Sequence, residues 1–370
     1  MGKEVRKSVF LIAEQLRAKV PGGIGTHTSA LLTAISRLKD NFPDLEFRVI
    51  ASSQKGSDPL DQFDMPVRCL PFGHEVFMRL SDAKIPFLGQ RPGVYHSFSM
   101  WVPPVLLKSQ KLVCTVHDVA FITNPSFFTK RGVLWHTRQL RAIAKGGFPI
   151  VAVSEQTKHS LTTSGIGHDR VTVIESGADH LGNADLKGCK ALLQSLGTSQ
   201  DFILSVSTLE PRKNLNGLIA AYRQMRISIP SAPDLLIVGP SGWGERAKGE
   251  AGVHFLGNVS EQVLVALYRS AMFLTYVPFE EGFGLPVVEA MSNGLPVVSS
   301  DVPSAKGAVE LVDPNSVESI SAGMTRLIVD VQRRRALTQQ GLSTAAQLTW
   351  AGAARKHMEL WERMLWQSNA

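Results

Sequence analysis

Short, continuous apolar runs alternate along the chain with longer stretches in which apolar residues recur every three or four positions. Runs at 9–13, 48–52, 67–70, 93–98, 111–116, 150–154 and 171–174 read as strands. They are continuous rather than alternating, the pattern of strands covered on both faces by helices. Between the first two, Ile24, Thr28, Leu31, Ile35 and Leu38 recur at helical spacing and predict a helix over 24–38. A second strand series follows at 202–207, 234–239, 253–256, 272–276, 296–299 and 310–312. Helical patterns at 215–225, 260–270, 286–293 and 317–340 separate its members. Two such series in tandem predict an α/β chain of two doubly wound parallel domains. Periodicity weakens over 177–199, where the boundary between them is expected. The last pattern, over 350–366, puts Trp350, Ala354, His357, Trp361 and Leu365 on one helical face. Periodicity alone gives that face no docking partner.

Composition adds bounds rather than function. The chain has 370 residues, 44% of them apolar and 19% charged. That is about two domains at roughly 100–200 residues each. It is enough to build large cores without disulfide or metal staples, and it excludes global disorder. Lysine and arginine number 39 against 32 acidic residues, a net charge of +7. This admits a nucleic acid, a membrane surface or a phosphorylated substrate without choosing among them. Cys69, Cys114 and Cys189 show no disulfide or metal spacing. The apolar run at 9–13 is too short for a signal peptide, and no window approaches a membrane span. A reducing cytoplasm is the expected location.

Four segments carry candidate chemistry. In EEGFGLPVVEA (280–290), a strand ends and a glycine turn with Phe283 and Gly284 leads through Leu285 and Pro286 into a helix. Such a turn presents backbone N–H groups to an anion. Glu281 and Glu289 flank it and suit hydroxyl-bearing groups; the plainer alternative is two solvated glutamates. In STLEPRKNL (207–215), Arg212 and Lys213 follow a strand directly, the arginine as a fork and the lysine as a point charge for a diphosphate. In PGGIGT (21–26), Gly23 and Gly25 permit close backbone approach, although a bare turn reads equally well. In TVHD (115–118), His117 stands at a strand's C-terminal end, able to bond a sugar hydroxyl or shuttle a proton, or simply to cap the strand. Cys114, His117 and Asp118 fall short of a zinc ligand set.

Together these segments resemble retaining glycosyltransferases of family 4, which have the glycosyltransferase-B fold, and the resemblance spans nearly the whole chain. Glu281 and Glu289 match the ends of the family's E-x7-E motif, STLEPRKNL its phosphate-binding loop and GGIG its N-terminal glycine loop. Residues 153–158 and 175–179 resemble the segments that close the first domain. The resemblance implies two Rossmann-like domains facing across a cleft. Residues 1–185 would bind the acceptor and 186–349 the nucleotide sugar, with 350–370 as a helix crossing back to the first domain. By the same resemblance, Arg212 and Lys213 neutralise the donor diphosphate, so that no metal or other cofactor is required. Glu289 binds ribose, and Glu281 binds the donor sugar beside the Phe283, Gly284 and Leu285 backbone. Gly23 and Gly25 approach the phosphate and reacting centre, and His117 contacts the donor sugar. Retention is implied by front-face attack assisted by the leaving phosphate. The chain departs from the family pattern at Ser176, where asparagine is common, and 302–312 is shorter than usual.

The motifs leave the donor base and sugar open. TVHDVAFITNP (115–125) resembles mannosyltransferase segments, making GDP-mannose the first choice and a UDP-sugar the alternative. A glycan or lipid-linked acceptor is implied. In the helical pattern over 127–145, Arg131, Arg138, Arg141 and Lys145 fall within about 80° of one another, near Trp135. That stripe points to peripheral contact with an anionic membrane at its inner face, or to a solvated helix face. An epimerase or phosphorylase of similar fold finds no carboxylate cluster or marked lysine, and no basic-aromatic motif supports nucleic-acid binding. A degenerate transferase acting as a binding subunit is opposed by the intact Arg212, Lys213, Glu281, Glu289 and His117.

Overall fold

The computed structural model describes residues 6–80, 88–198, 201–240, 242 and 250–366. Parts of the expected segments, among them 1–5, Ser199 and 367–370, lie outside the described residues. The chain divides into two compact units, Met1–Ser176 with Trp350–Ala370, and Gly177–Thr349. The first unit thus ends at Ser176 rather than at 185. The following segment bonds within the second unit: Ala178 N–H donates to Leu348 O at 2.8 Å and Asp185 N–H to Gln262 O at 2.9 Å.

In the first unit the elements run β1 (Lys7–Ile12), α1 (Gly22–Leu38), β2 (Leu45–Ser52), β3 (Val67–Leu70), α2 (His74–Leu80), β4 (Gly93–Ser97), β5 (Gln110–Val116), α3 (Ala120–Thr123), α4 (Lys130–Gly146), β6 (Ile150–Ala152), α5 (Glu155–Thr163) and β7 (Val171–Val173). The strands pair in parallel in the order β3-β2-β1-β4-β5-β6-β7. Each predicted strand of this series is present, because a strand packed on both faces keeps its apolar run unbroken. Phe10, Tyr95, Leu112 and Ile150 contribute to one buried core. The glycines of PGGIGT do not form a loop. A 3-10 turn over Glu14–Arg17 intervenes after β1, and α1 already starts at Gly22. Gly25 is required by packing: a Cβ there would meet Pro21 Cβ at 2.2 Å, whereas Gly23 opens onto free space. The helix expected over 127–145 begins at Lys130, because Pro125–Phe127 forms a 3-10 turn and Thr129 caps α4 by accepting from Gly132 N–H at 3.1 Å.

The second unit runs α6 (Leu186–Leu196), β8 (Phe202–Val206), α7 (Leu215–Ser228), β9 (Asp234–Val238), β10 (Val253–Gly257), α8 (Glu261–Ser270), β11 (Phe273–Tyr276), α9 (Leu285–Ser292), β12 (Val297–Ser299), β13 (Glu310–Leu311), α10 (Val317–Val329) and α11 (Val331–Ala345). Its parallel order is β10-β9-β8-β11-β12-β13. Two expectations change here. The weak stretch 177–199 contains α6, which buries only Cys189 and Leu193 and so leaves little periodicity to read. The single helix expected over 317–340 is two. Asp330 ends α10 and its carboxylate then accepts Arg333 N–H at 2.8 Å, opening α11.

The final helix, α12 (Trp350–Trp366), belongs to the first unit and packs on α1. Lys7 donates to Leu365 O at 2.9 Å and Lys111 to Met364 O, placing two cations at its C-terminal carbonyls. Its buried face meets histidines. Trp361 Nε1–H donates to His96 Nδ1 at 3.0 Å, while His96 Nε2 lies 2.9 Å from Thr115 Oγ1. Nδ1 therefore carries no proton, and the ring is neutral. His357 Nδ1 donates to Ala353 O at 2.8 Å, and His27 Nδ1 lies 3.0 Å from Ser176 Oγ. His27 stands edge-on to Trp350 at 5.1 Å.

Burial pushes His27, His96 and His357 below the usual histidine range, His357 to about 4. Their mutual repulsion adds to this for His27 and His96. The unfolded chain then binds more protons than the folded one below about pH 6.5. Stability should be flat from pH 7 to 8 and fall as pH drops below about 6.5, with a slope approaching roughly 4 kcal/mol per pH unit. Urea unfolding followed by tryptophan fluorescence checks this; a midpoint unchanged between pH 7.5 and 5 would rule it out.

Candidate functional site

In a doubly wound sheet the loops leaving two adjacent strands in opposite directions part at the point where strand order reverses, which opens a crevice. In the second unit that point lies between β8 and β11. The loop after β8 carries Arg212 and Lys213 in a 3-10 turn over Pro211–Lys213. The loop after β11 carries Glu281. The two loops are tied together. Phe279 N–H donates to Arg212 O at 3.0 Å. Asn214, in the left-handed region at φ 56°, donates to Val277 O at 3.2 Å and Pro314 O at 2.7 Å while opening α7.

Glu281 is the centre of the resulting network. Its Oε1 accepts from Arg212 Nη1 at 3.3 Å, and its Oε2 from Lys213 Nζ and from Tyr276 O–H at 2.6 Å. Lys213 also donates to the Tyr276 hydroxyl at 2.9 Å. Arg212 Nη2 donates to Glu210 Oε1 at 3.0 Å. Burial opposes ionisation of Glu281, yet the Arg212 and Lys213 cations hold its carboxyl well below the usual range. Burial and the Glu281 charge push the Tyr276 hydroxyl well above its ordinary value, so it remains a donor. The expected residues are thus brought together, but as a neutral cluster: two cations against two carboxylates. Glu210 and Tyr276 complete it, and neither stands out in the sequence. Glu210 lies two positions before Arg212, which is the signal that could have identified it.

Glu289 belongs to a separate set of bonds on α9. It is buried; its Oε2 accepts from Tyr268 O–H at 2.8 Å and its Oε1 lies 3.2 Å from His180 Nε2. Neither Glu281 nor Glu289 is the solvated glutamate of the plainer reading. Phe283 is buried, and Gly284 caps α9 at φ 96° with no side-chain cap for the turn that Leu285 begins. A Cβ at Gly284 would meet Ser304 Oγ at 2.9 Å and Val302 Cγ2 at 3.0 Å, so glycine is needed there. In the first unit, His117 Nε2 lies 3.0 Å from Phe98 O. A carbonyl only accepts, so this nitrogen carries the ring proton. Ser176, where the sequence departs from the family pattern, bonds to His27. Among the described residues no group of three or more His, Cys, Asp or Glu side chains is placed to hold a metal ion. Cys114 is buried, with Sγ 3.8 Å from Trp101 O.

The family described as Glycosyl transferases group 1 matches residues 194–344. O-antigen chain mannosyltransferase B of Escherichia coli is 32% identical over 273 residues, covering 70% of this chain and 71% of the relative. D-inositol 3-phosphate glycosyltransferase of Nocardia farcinica is 26% identical, covering 92% of this chain and 80% of the relative. Among solved structures, Anabaena Alr3699/HepE in complex with UDP and glucose superposes with a TM-score of 0.69 at 20% identity, covering 96% of this chain and 100% of that one.

Glu281→Gln keeps the shape of the cluster while removing its central charge, leaving Arg212 and Lys213 with one carboxylate between them. The second unit is expected to lose about 3 kcal/mol of stability. A urea midpoint equal to that of the unaltered protein would show that the cations are balanced elsewhere.

Proposed function

The chain belongs to the group 1 glycosyltransferases and has the glycosyltransferase-B fold; from that premise we propose that it is a retaining, metal-independent mannosyltransferase. It takes a nucleotide-diphosphate sugar, GDP-mannose first, and a glycan or lipid-linked acceptor. The observation that carries this is the Arg212–Lys213–Glu281 cluster at the switch point of the second sheet. The choice of mannose is supported by the TVHD segment and by the mannosyltransferase relative.

In the proposed reaction the bond from the anomeric carbon to the diphosphate oxygen breaks. A bond to the acceptor oxygen forms on the same face, and the acceptor's proton passes to the departing phosphate oxygen. The diphosphate gains negative charge as it leaves. Arg212 and Lys213 are pre-set by Glu281 and Glu210, so they meet that charge without reorganising from solvent. They supply what a divalent cation would otherwise supply. The first turn of α9, which has no side-chain cap after Gly284, adds the positive end of a helix. Glu289 is the proposed ribose contact. Glu281 is both the positioning residue for the cations and the proposed sugar contact, with Phe283 and Leu285 backbone beside it. Gly23 and Gly25 are the proposed points of close approach to the phosphate and reacting centre, and His117 is the proposed contact of the sugar being transferred.

Turnover of nucleotide sugars tests the reading. GDP-mannose should be consumed with an acceptor glycan present, with undiminished rate in EDTA. Lys213→Ala should lower kcat/KM by about 10²–10³, in line with the loss of a charged transition-state contact. Loss of activity in EDTA restored by manganese, or an unaffected Lys213→Ala, would refute the metal-free clamp.

Peripheral membrane contact forms a second part of the proposal. No helix among the described residues is long and apolar enough to cross a membrane. On α4, Arg131, Arg138, Arg141 and Lys145 are exposed, and Leu134, 72% exposed, falls inside their arc. A protruding leucine among cations fits anionic headgroups with an apolar layer beneath. The protein should float with phosphatidylglycerol vesicles and not with phosphatidylcholine ones. Flotation that survives Leu134→Ser combined with Arg131→Gln and Arg141→Gln would remove this face from consideration.

A further inference from the structure

In the second unit a buried tyrosine stands against each of the two motif glutamates. Tyr276, at the end of β11, donates to Glu281 Oε2 at 2.6 Å. Tyr268, on α8, donates to Glu289 Oε2 at 2.8 Å. The likeness ends there. Glu281 is also bonded by Arg212 and Lys213, so most of its acceptor capacity is taken by cations. Glu289 has no lysine or arginine partner among the described residues, and its other oxygen, Oε1, lies 3.2 Å from His180 Nε2.

A buried carboxylate without donors is costly, and α8 meets that need with an uncharged one. Tyr268 is fully buried. Burial and the Glu289 charge push its hydroxyl well above the ordinary tyrosine value, so the phenol stays protonated and donates. A carboxylate has about four lone-pair sites. One hydrogen bond from Tyr268 therefore fixes the side chain and leaves acceptor sites open. A cation in the same place would also fix it, but would draw on those sites and offset the charge that attracts a hydroxyl. The arrangement suits a group that brings two uncharged donors side by side, a vicinal diol.

We propose that Tyr268 is a positioning residue for the nucleotide: by donating to Glu289 Oε2 it holds that carboxylate where it accepts from both ribose hydroxyls, and so sets the preference for ribose over a sugar lacking them. The proposal rests on the reading of Glu289 as the ribose contact. Tyr268 has no exposed surface of its own, so it acts through Glu289. A tyrosine that only satisfied a buried carboxylate would support the fold and would affect every nucleotide alike. A positioning tyrosine affects only those that carry the hydroxyls.

The test is calorimetric titration of the full chain with GDP and with UDP, each beside its 2′,3′-dideoxy counterpart. The nucleotide that binds should be preferred over its dideoxy form by at least about tenfold, from two hydroxyls on one carboxylate. Tyr268→Phe keeps the buried ring and should cut that preference about three- to tenfold, the worth of one hydrogen bond. It should leave the dideoxy affinity in place. The ratio is taken within one variant, so a smaller folded fraction cancels. Glu289→Gln should also reduce the preference, and Tyr268→Phe added to it should reduce it no further. Equal weakening of both nucleotides by Tyr268→Phe, or a ratio that it does not move, overturns the proposal. So does an effect of Tyr268→Phe that is undiminished in the Glu289→Gln background. Tight binding of a nucleotide with no preference for ribose overturns it and leaves the diphosphate clamp standing. Failure of both GDP and UDP to bind removes the donor reading itself, and the proposal with it.

Discussion

The chain's chemistry is constrained by the burial of its parallel strands on both faces. Val9, Leu11, Val94, Val113 and Ile150 in one sheet, and Ile203, Leu235, Phe273 and Val298 in the other, have no contact with water. A strand sealed in this way can offer polar groups only where it ends. Among strand ends, only those at a reversal of order have loops that diverge and leave room for a ligand. Arg212, Lys213 and Glu281 stand at the reversal of the second sheet, and Glu14, Ser97 and Phe98 at that of the first. The same topological rule thus produces two crevices of different lining from one repeated architecture.

The difference between them is electrostatic. The site in the second unit holds Arg212 and Lys213 against Glu210 and Glu281, with Tyr276 kept protonated between them. That of the first unit holds carboxylates and imidazoles. The described residues lining the crevice of the first unit include no lysine or arginine. The two crevices therefore differ in charge as well as in shape. Arg212 and Lys213 account for only part of the positive charge behind the net +7. More of it lies on the exposed face of α4 and at the end of α12, where Lys7 and Lys111 bond the last carbonyls.

What the sequence discloses and what it conceals follow from the range of the interactions. Strands were legible because an apolar run is local. The loops at 207–215 and 280–290 were legible because their chemistry is contiguous. The break at Asp330 was hidden because it depends on one carboxylate preferring a backbone N–H three residues on over the continuing helix. The true start of α1 was hidden because glycines read as a turn, and only the contact of Gly25 with Pro21 shows the helix needs one there. Glu14 and His74 were missed altogether. They lie 60 residues apart and are joined only when β1 and α2 reach the same end of the sheet, and neither sits in a motif. Glu281 was found, but as a ligand for sugar; its bonds to both cations follow from the pairing of two loops 68 residues apart, which no local pattern encodes.

If the Arg212–Lys213–Glu281 cluster binds the donor as proposed, its charge pairing also bears on catalysis. Two buried cations without partners would be costly, and in water they would be screened and mobile. Glu281 and Glu210 remove that cost while keeping Arg212 and Lys213 at fixed positions. A diphosphate that arrives carries more charge than a carboxylate and can share the same cations. The attraction grows further as the glycosidic oxygen acquires charge in the transition state. An interaction that strengthens along the reaction coordinate raises the rate, whereas one already at full strength in the ground state only tightens binding. On the proposed reading, a clamp that is balanced when empty and most strongly engaged when the phosphate departs would be better suited to transfer than a bare cationic pocket, which would hold donor and product diphosphate alike.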